Sequence, residues 1–190
     1  MTNNGNLISD TILVNNILSG DTRAFAMIVK NTERLVAQIV RRMIDNEEDQ
    51  KDLVQDIYMK AYRNLPSFKF QSKLSTWVGT IAYNTTINHL EKKKIQFYDI
   101  DLLHENVLIN SETAEKNIFK SETTEALKEE INNLPPLYKT LISLYHVEEL
   151  PNKEISEITN LPEGTIKSYL FRARKILKEN LEKNYKNEIV

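Results

Sequence analysis

Apolar residues recur every three or four positions along most of this chain, and that spacing predicts helices nearly from end to end. Leu13 and Ile17 sit one turn apart, and Gly20-Asp21 then closes one helix and caps the next. From Asp21 onward, Phe25, Val29, Val36, Val40 and Met43 mark one apolar stripe. DNEEDQ reads as a polar break. After it, DQKDLVQDIYMKAYRNL sets Leu53, Ile57 and Ala61 four apart, and Asp52, Gln55, Asp56, Lys60 and Arg63 decorate the rest of that helix. Pro66 ends it, and PSFKFQSKLS follows as a short loop rich in Phe, Lys and Ser. STWVGTIAYNTTINHLEKKK predicts one more helix, with Ser75 as its cap and Val78, Ile81, Ala82 and Ile87 on a mostly apolar face. Residues 10–94 therefore read as a four-helix domain.

The pattern then lapses. IQFYDIDLLHENVLINSE has no sustained period, and from Ile95 to Glu130 nine acidic residues stand against three Lys, a local net of −6. Residues 95–122 are expected to form an acidic, weakly structured linker. Helicity returns near Glu122, and residues 123–185 carry a three-helix pattern. Leu137, Leu141 and Leu144 form one buried face, Ile155 and Ile158 the next. Ile166, Leu170, Ala173 and Leu177 follow at i, i+4, i+7 and i+11. Pro151 and Pro162 stand where the last two helices begin, a position that tolerates a missing N–H. The fold class is all-α: two small helical domains joined by the linker, the second ending in a helix, a turn of about four residues and a longer helix, which is a helix-turn-helix.

Composition narrows the classes. Gly is scarce at 4 and Pro at 5, which suits long helices. Cysteine is absent, which excludes disulfides, zinc–cysteine sites and thiol catalysis. MTNNGNLISD lacks the basic start and apolar run of a secretory signal, and no apolar stretch approaches the length of a membrane span. A cytoplasmic protein without membrane insertion is expected. No P-loop, GxGxxG, nucleophile motif or metal-ligand spacing stands out, and His89, His104 and His146 are scattered. The chain does not read as an enzyme, and no metal or cofactor is expected.

Charge sharpens the picture. The chain holds 25 basic and 27 acidic residues, yet GTIKSYLFRARKILKENLEKNYK, residues 164–186, has seven basic residues against two Glu. With Ile166, Leu170, Ala173 and Leu177 turned inward, the outer face keeps Lys167, Ser168, Phe171, Arg172, Arg174, Lys175 and Lys178. A solvated charged helix would place acids at i±4, and none lies between Lys167 and Lys178. A recognition helix lying in the DNA major groove is the better reading.

GTIKSYLFRARKIL, preceded by LPPLYKTLISLYHVEELPNKEISEITN, resembles the DNA-binding C-terminal domain of bacterial RNA polymerase sigma factors. DLVQDIYMKAYRNLPSF resembles their polymerase-binding helix, and SKLSTWVGTIAYNTTINHL their promoter-melting helix. Two such domains and a short linker resemble the extracytoplasmic-function (ECF) subgroup. The resemblance implies recruitment of core RNA polymerase to promoter DNA, with the C-terminal domain reading the −35 element as duplex and the N-terminal domain reading and opening the −10 element.

By position, it places Lys167, Ser168, Phe171 and Arg172 at bases and backbone of the −35 element, and Arg174 and Lys178 on phosphates. Tyr169 departs from the family's frequent basic residue. The loop Phe68, Lys69, Phe70, Gln71, Ser72, with Lys73, Trp77, Asn84 and Asn88, matches the pocket for a flipped −10 base and its strand. An amide at Asn84 suits a base edge, and the Phe rings offer stacking surface. Trp77 has an equal claim as core packing. Phe70 stands where the family pattern has a Gly. Asp52, Gln55, Asp56 and Lys60 match the face that grips the polymerase clamp; from sequence alone they would be a solvated charged face. An anti-sigma factor is a further partner the subgroup implies, and the free chain is expected to be a monomer. Two readings compete: a self-standing helix-turn-helix regulator that binds duplex DNA as a dimer, and a helical scaffold with no DNA role.

Overall fold

In the computed structural model, which describes residues 4–92 and 122–188, every regular element among the described residues is helical. The order is α1 (Asn4–Leu18), α2 (Phe25–Met43), α3 (Glu47–Asn64), α4 (Leu74–Lys92), α5 (Glu122–Asn133), α6 (Pro136–His146), α7 (Asn152–Thr159) and α8 (Glu163–Glu188). The expected linker falls outside the described residues, apart from Glu122. The C-terminal part has four helices rather than three, because α5 is a full element that packs against α8.

Asp21 does not cap α2: its side chain makes no cap hydrogen bond, and a 3-10 turn over Thr22–Ala24 leads into the helix at Phe25. Three further boundaries differ from the sequence expectation, each for a local reason. The break at DNEEDQ is shorter than expected: α2 ends at Met43 and α3 already begins inside the stretch, at Glu47. Asn46 caps the helix by accepting the Asp49 N–H at 2.9 Å. The acids that made the stretch look like a loop, Glu47, Glu48 and Asp49, fill the first turn, where the helix dipole favours negative charge. Ser75 is not a cap, since α4 already starts at Leu74. The Leu74 N–H donates instead to the Asp10 carboxylate of α1, 3.0 Å away, so a residue distant in sequence satisfies that helix end. Thirdly, α8 runs on to Glu188, beyond the span its apolar spacing marked.

Most of the apolar stripe positions bury, while Leu13, Phe25, Val29, Ile81, Ile87 and Leu137 are only half-buried. Val36, Val40, Leu53, Ile57, Ala61, Val78 and Ala82 build the N-terminal core, and Leu141, Leu144, Ile155, Ile158, Ile166, Leu170 and Ala173 the C-terminal one. The turn between α7 and α8 is set by Asn160 at φ 58, a left-handed position that Asn tolerates better than most residues. Its N–H donates to the Ser156 carbonyl at 2.8 Å, and the Ser156 hydroxyl donates to the Leu161 carbonyl at 2.6 Å.

The two cores are continuous. Helix α4 lies against α7, and α2 against α6. Gly79 permits the first contact: a Cβ there would come within 3.1 Å of the Ile158 side chain and 3.3 Å of Leu35. The second is polar. The Arg34 guanidinium donates to the Glu148 carboxylate at 2.9 Å and to the Val147 carbonyl at 2.8 Å. The Ser143 hydroxyl donates to the Gln38 amide oxygen at 3.2 Å.

Candidate nucleic-acid interface

The inner residues of α8 fix which side chains remain outside. Ile166, Leu170, Ala173 and Leu177 are buried, so Lys167, Ser168, Arg174 and Lys178 are exposed, and Phe171 and Arg172 are half-buried at the edge. The Ser168 hydroxyl donates to the Gly164 carbonyl at 3.0 Å. Arg174 donates from Nε to the Leu170 carbonyl at 3.1 Å. Arg172 lies over the Tyr169 ring at 5.9 Å, and that ring meets Tyr138 edge-on at 5.7 Å. Tyr169, which sequence marked as a departure from a basic residue, thus anchors α8 to α6 and carries Arg172. Acidic partners do occur farther along: Lys175 pairs with Glu179 at 3.7 Å and Lys178 with Glu182 at 3.9 Å. Exposed i,i+4 pairs of this kind hold a lysine only weakly, so both remain available to a phosphate.

The loop before α4 gathers its aromatics. Phe68 is buried, only 7% exposed, with its ring centroid 4.7 Å from Phe70 and 5.2 Å from Trp77. Trp77 and Phe70 are half-buried; Lys69 and Gln71 are exposed and Ser72 half-buried. Phe68 therefore serves as the floor, with Phe70 and Trp77 above it. Phe70 has φ 57, a left-handed backbone that costs a bulky residue of the order of 1–3 kcal/mol. The Gly expected there would adopt it freely.

On α4, Asn84 and Asn88 are both exposed, one turn apart. Asn88 shares a cleft of about 460 Å³ with Asp56, Lys60, Thr85, His89 and Lys92, so it lies beside two of the residues expected to meet polymerase. In that cleft Lys60 pairs with Asp56 at 2.7 Å and donates to the Thr85 hydroxyl at 3.4 Å. Asp52 and Gln55 are exposed on α3. Next to Gln55 runs a groove of about 440 Å³ lined by Phe25, Tyr58, Met59, Tyr62 and Arg63. Met59 and Tyr62 are each 44% exposed there, and Met27 is exposed nearby along α2. Sequence reading fixed on the charged face of α3 and missed this apolar strip, although Met59 and Tyr62 fall outside the Leu53–Ile57–Ala61 stripe.

Tyr83 faces α8 from α4. Burial pushes its phenol up to about 12, and electrostatic interaction with Tyr169 adds to the rise. A raised folded-state value favours the protonated form, so the stability it brings is complete below about pH 10 and is lost as the pH climbs toward 12. Tyr83→Phe should accordingly lose less stability than the parent between those limits, by about 2 kcal/mol. Urea midpoints at successive alkaline pH values measure the difference.

A two-domain helical protein with a basic helix-turn-helix and an aromatic loop beside an amide-bearing helix has the kind of surface that nucleic-acid binding calls for. Residues 28–95 match the family description Sigma-70 region 2, and residues 124–177 match Sigma-70, region 4. The chain is 32% identical over 176 residues to the ECF RNA polymerase sigma factor SigW of Bacillus subtilis, covering 88% of this chain and 94% of that one. It is 32% identical over 183 residues to the ECF RNA polymerase sigma-E factor of Haemophilus influenzae, covering 92% and 96%. The sigma factor RpoE of Bartonella quintana, solved in complex with the anti-sigma factor NepR, matches with a TM-score of 0.62 at 26% identity, covering 83% and 96%.

The chain belongs to the ECF sigma factors of bacterial RNA polymerase. Its role is to direct transcription initiation, and it is a regulatory DNA-binding protein rather than an enzyme. Because both domains match, the self-standing regulator is not favoured. No described helix is long and apolar enough to cross a membrane.

Proposed function

We propose that this sigma factor reads its promoter at two places, the −35 element as duplex through α8 and the −10 element as melted strand through residues 68–73 and α4. The observation that carries the reading is the outward face of α8, where Lys167, Ser168, Arg174 and Lys178 stand exposed over a fully buried apolar stripe. Lys167, Ser168, Phe171 and Arg172 meet bases and nearby backbone, while Arg174 and Lys178 hold phosphates. At the front, Asn84 offers both donor and acceptor to a base edge. Phe70 and Trp77 supply the apolar wall that offsets unstacking, Phe68 supports them, and Lys69, Gln71, Ser72 and Lys73 follow the strand with Asn88 farther along α4. Asp52, Gln55, Asp56 and Lys60, together with the apolar strip at Phe25, Met59 and Tyr62, bind core polymerase. An anti-sigma factor of the kind bound to the Bartonella RpoE restrains the chain in the cytoplasm, where the free protein is a monomer.

The test is in vitro transcription from a genomic template library with core polymerase, mapping start sites. New start sites are expected on adding the chain, sharing one −35 and one −10 sequence. Identical start sites with and without it would refute the reading. In the same assay Asn84→Ala should change the preferred −10 base while leaving polymerase affinity within about twofold, since it removes a base-edge partner and no buried group. An unchanged base profile removes Asn84 from the pocket.

A further inference from the structure

The cations of α8 are not all held in the same way. Lys175 and Lys178 each meet a Glu one turn on, and Arg174 turns back to a carbonyl of its own helix. Arg172 lies over an aromatic ring. Its guanidinium carbon is 5.9 Å from the ring centroid of Tyr169, three residues earlier on the same helix, a spacing at which side chains are neighbours. A cation within about 6 Å of a ring centroid is drawn to the negative face of the ring.

The ring is itself held. Tyr169 is half-buried and packs against the core, and it meets Tyr138 edge-on, the ring centroids 5.7 Å apart. Tyr138 is 1% exposed, and close packing fixes a side chain so placed. It belongs to α6, which packs on α8 within the C-terminal domain, so the support travels with the reading helix. A series of contacts thus runs from the core through Tyr138 and Tyr169 to a guanidinium at the edge of the DNA-facing surface.

Arginine reads guanine by presenting two N–H groups together to O6 and N7, so its planar fork has to arrive in one orientation. A long side chain loose in water gives up rotamer freedom when it docks. A ring restricts that freedom beforehand, and its face, unlike a carboxylate, sets no lone pair against the N–H groups. From this geometry we infer that Tyr169 is a positioning residue for base reading: acting through Arg172 rather than on a base itself, it sets how sharply Arg172 prefers guanine in the −35 element. The inference rests on the −35 reading above. A basic side chain at 169 would exchange selectivity for affinity, gaining a phosphate contact and losing the ring that aims Arg172.

The test uses holoenzyme assembled from core polymerase and the full-length chain, with templates randomised over the −35 element and the transcribed ones sequenced. Arg172→Ala marks the position that Arg172 reads, as the one whose guanine preference collapses. There Tyr169→Phe should keep the preference within about twofold, because the ring face remains. Trifluorophenylalanine at residue 169 keeps nearly the same size but drains the negative face, and should lower the preference about fivefold, with monofluorophenylalanine between the two. Tyr169→Lys should lower it as far while steepening the slope of log affinity on log salt by about 0.9. A ring that merely packs would show no such grading, since the three phenylalanines fill nearly the same space. Equal preference in the phenylalanine and trifluorophenylalanine chains overturns the positioning role, as does a loss spread evenly over all −35 positions. Should Arg172→Ala itself leave every position unchanged, base reading by Arg172 falls first, and the positioning role with it.

Discussion

A chain carrying Lys167→Ala and Arg172→Ala should bind core polymerase as the parent does and yet lose its choice of start sites. Both side chains lie on the outer or edge surface of α8, over the buried Ile166–Leu170–Ala173 stripe. Alanine is the best helix former, so the exchange leaves α8 intact. The Arg172 guanidinium gives up its place over the Tyr169 ring, a contact of about 1 kcal/mol or less at a partly exposed site. What disappears is donor capacity toward bases. A good bidentate base contact discriminates by about 1–3 kcal/mol, so two lost contacts weaken preference for the cognate −35 element by roughly 30-fold to 10⁴-fold. Arg174→Ala and Lys178→Ala serve as the control. As phosphate ligands they should weaken all sequences alike, each lowering the slope of log affinity on log salt by about 0.9. If the Lys167/Arg172 variant shows the control's behaviour, α8 holds DNA without reading it. If polymerase affinity drops in step with start-site choice, the division of labour between the domains is wrong.

How much of this was legible in the sequence depends on the distance over which each feature is encoded. The stripes of α2, α3, α4 and α8 were plain, because a helix that buries one face must repeat its apolar residues at helical spacing. The α7–α8 turn was legible too, since Pro162 acts on its own backbone where α8 begins, whereas the left-handed Asn160 that sets the turn was not read. The start of α3 was misread for a physical reason: a polar run is compatible both with a loop and with an acidic first turn, and Asn46 decides between them by a hydrogen bond. The cap of α4 was beyond reach, as Asp10 lies 64 residues away from Leu74. So was the joining of the two cores. Glu154 and Lys73 are 81 residues apart, and neither belongs to a periodic pattern that would announce its partner. At the candidate site, the outer face of α8 followed by subtraction from its inner face. The stacking order of Phe68, Phe70 and Trp77 did not, because three aromatics in a loop and the following turn can nest in several ways.

That nesting separates Phe68 from Phe70 by experiment. Phe68→Ala should destabilise the protein by about 3–5 kcal/mol, the range for emptying a buried aromatic site. Its ring is 7% exposed and touches both neighbours, so the cavity would lie under Trp77. The chain has one Trp, and its emission should shift to the red as the floor is removed. Phe70→Gly tests the opposite balance. It gives up a half-buried ring packed at a tilt against Phe68, but it also frees a backbone held at φ 57, and a strain of the order of 1–3 kcal/mol returns to the folded state. The two terms are of similar size and opposite sign, so stability should stay within about 1 kcal/mol of the parent. Promoter opening should not survive so well. Glycine leaves the side of the proposed pocket open, and a base stacked on an aromatic ring gains about 1–3 kcal/mol, so a loss of roughly five- to 150-fold at the −10 step follows. Denaturant midpoints and abortive transcription on one template measure both quantities. A Phe70→Gly chain as unstable as Phe68→Ala would make Phe70 a core residue; one fully active on the template would show that its strained backbone serves no base.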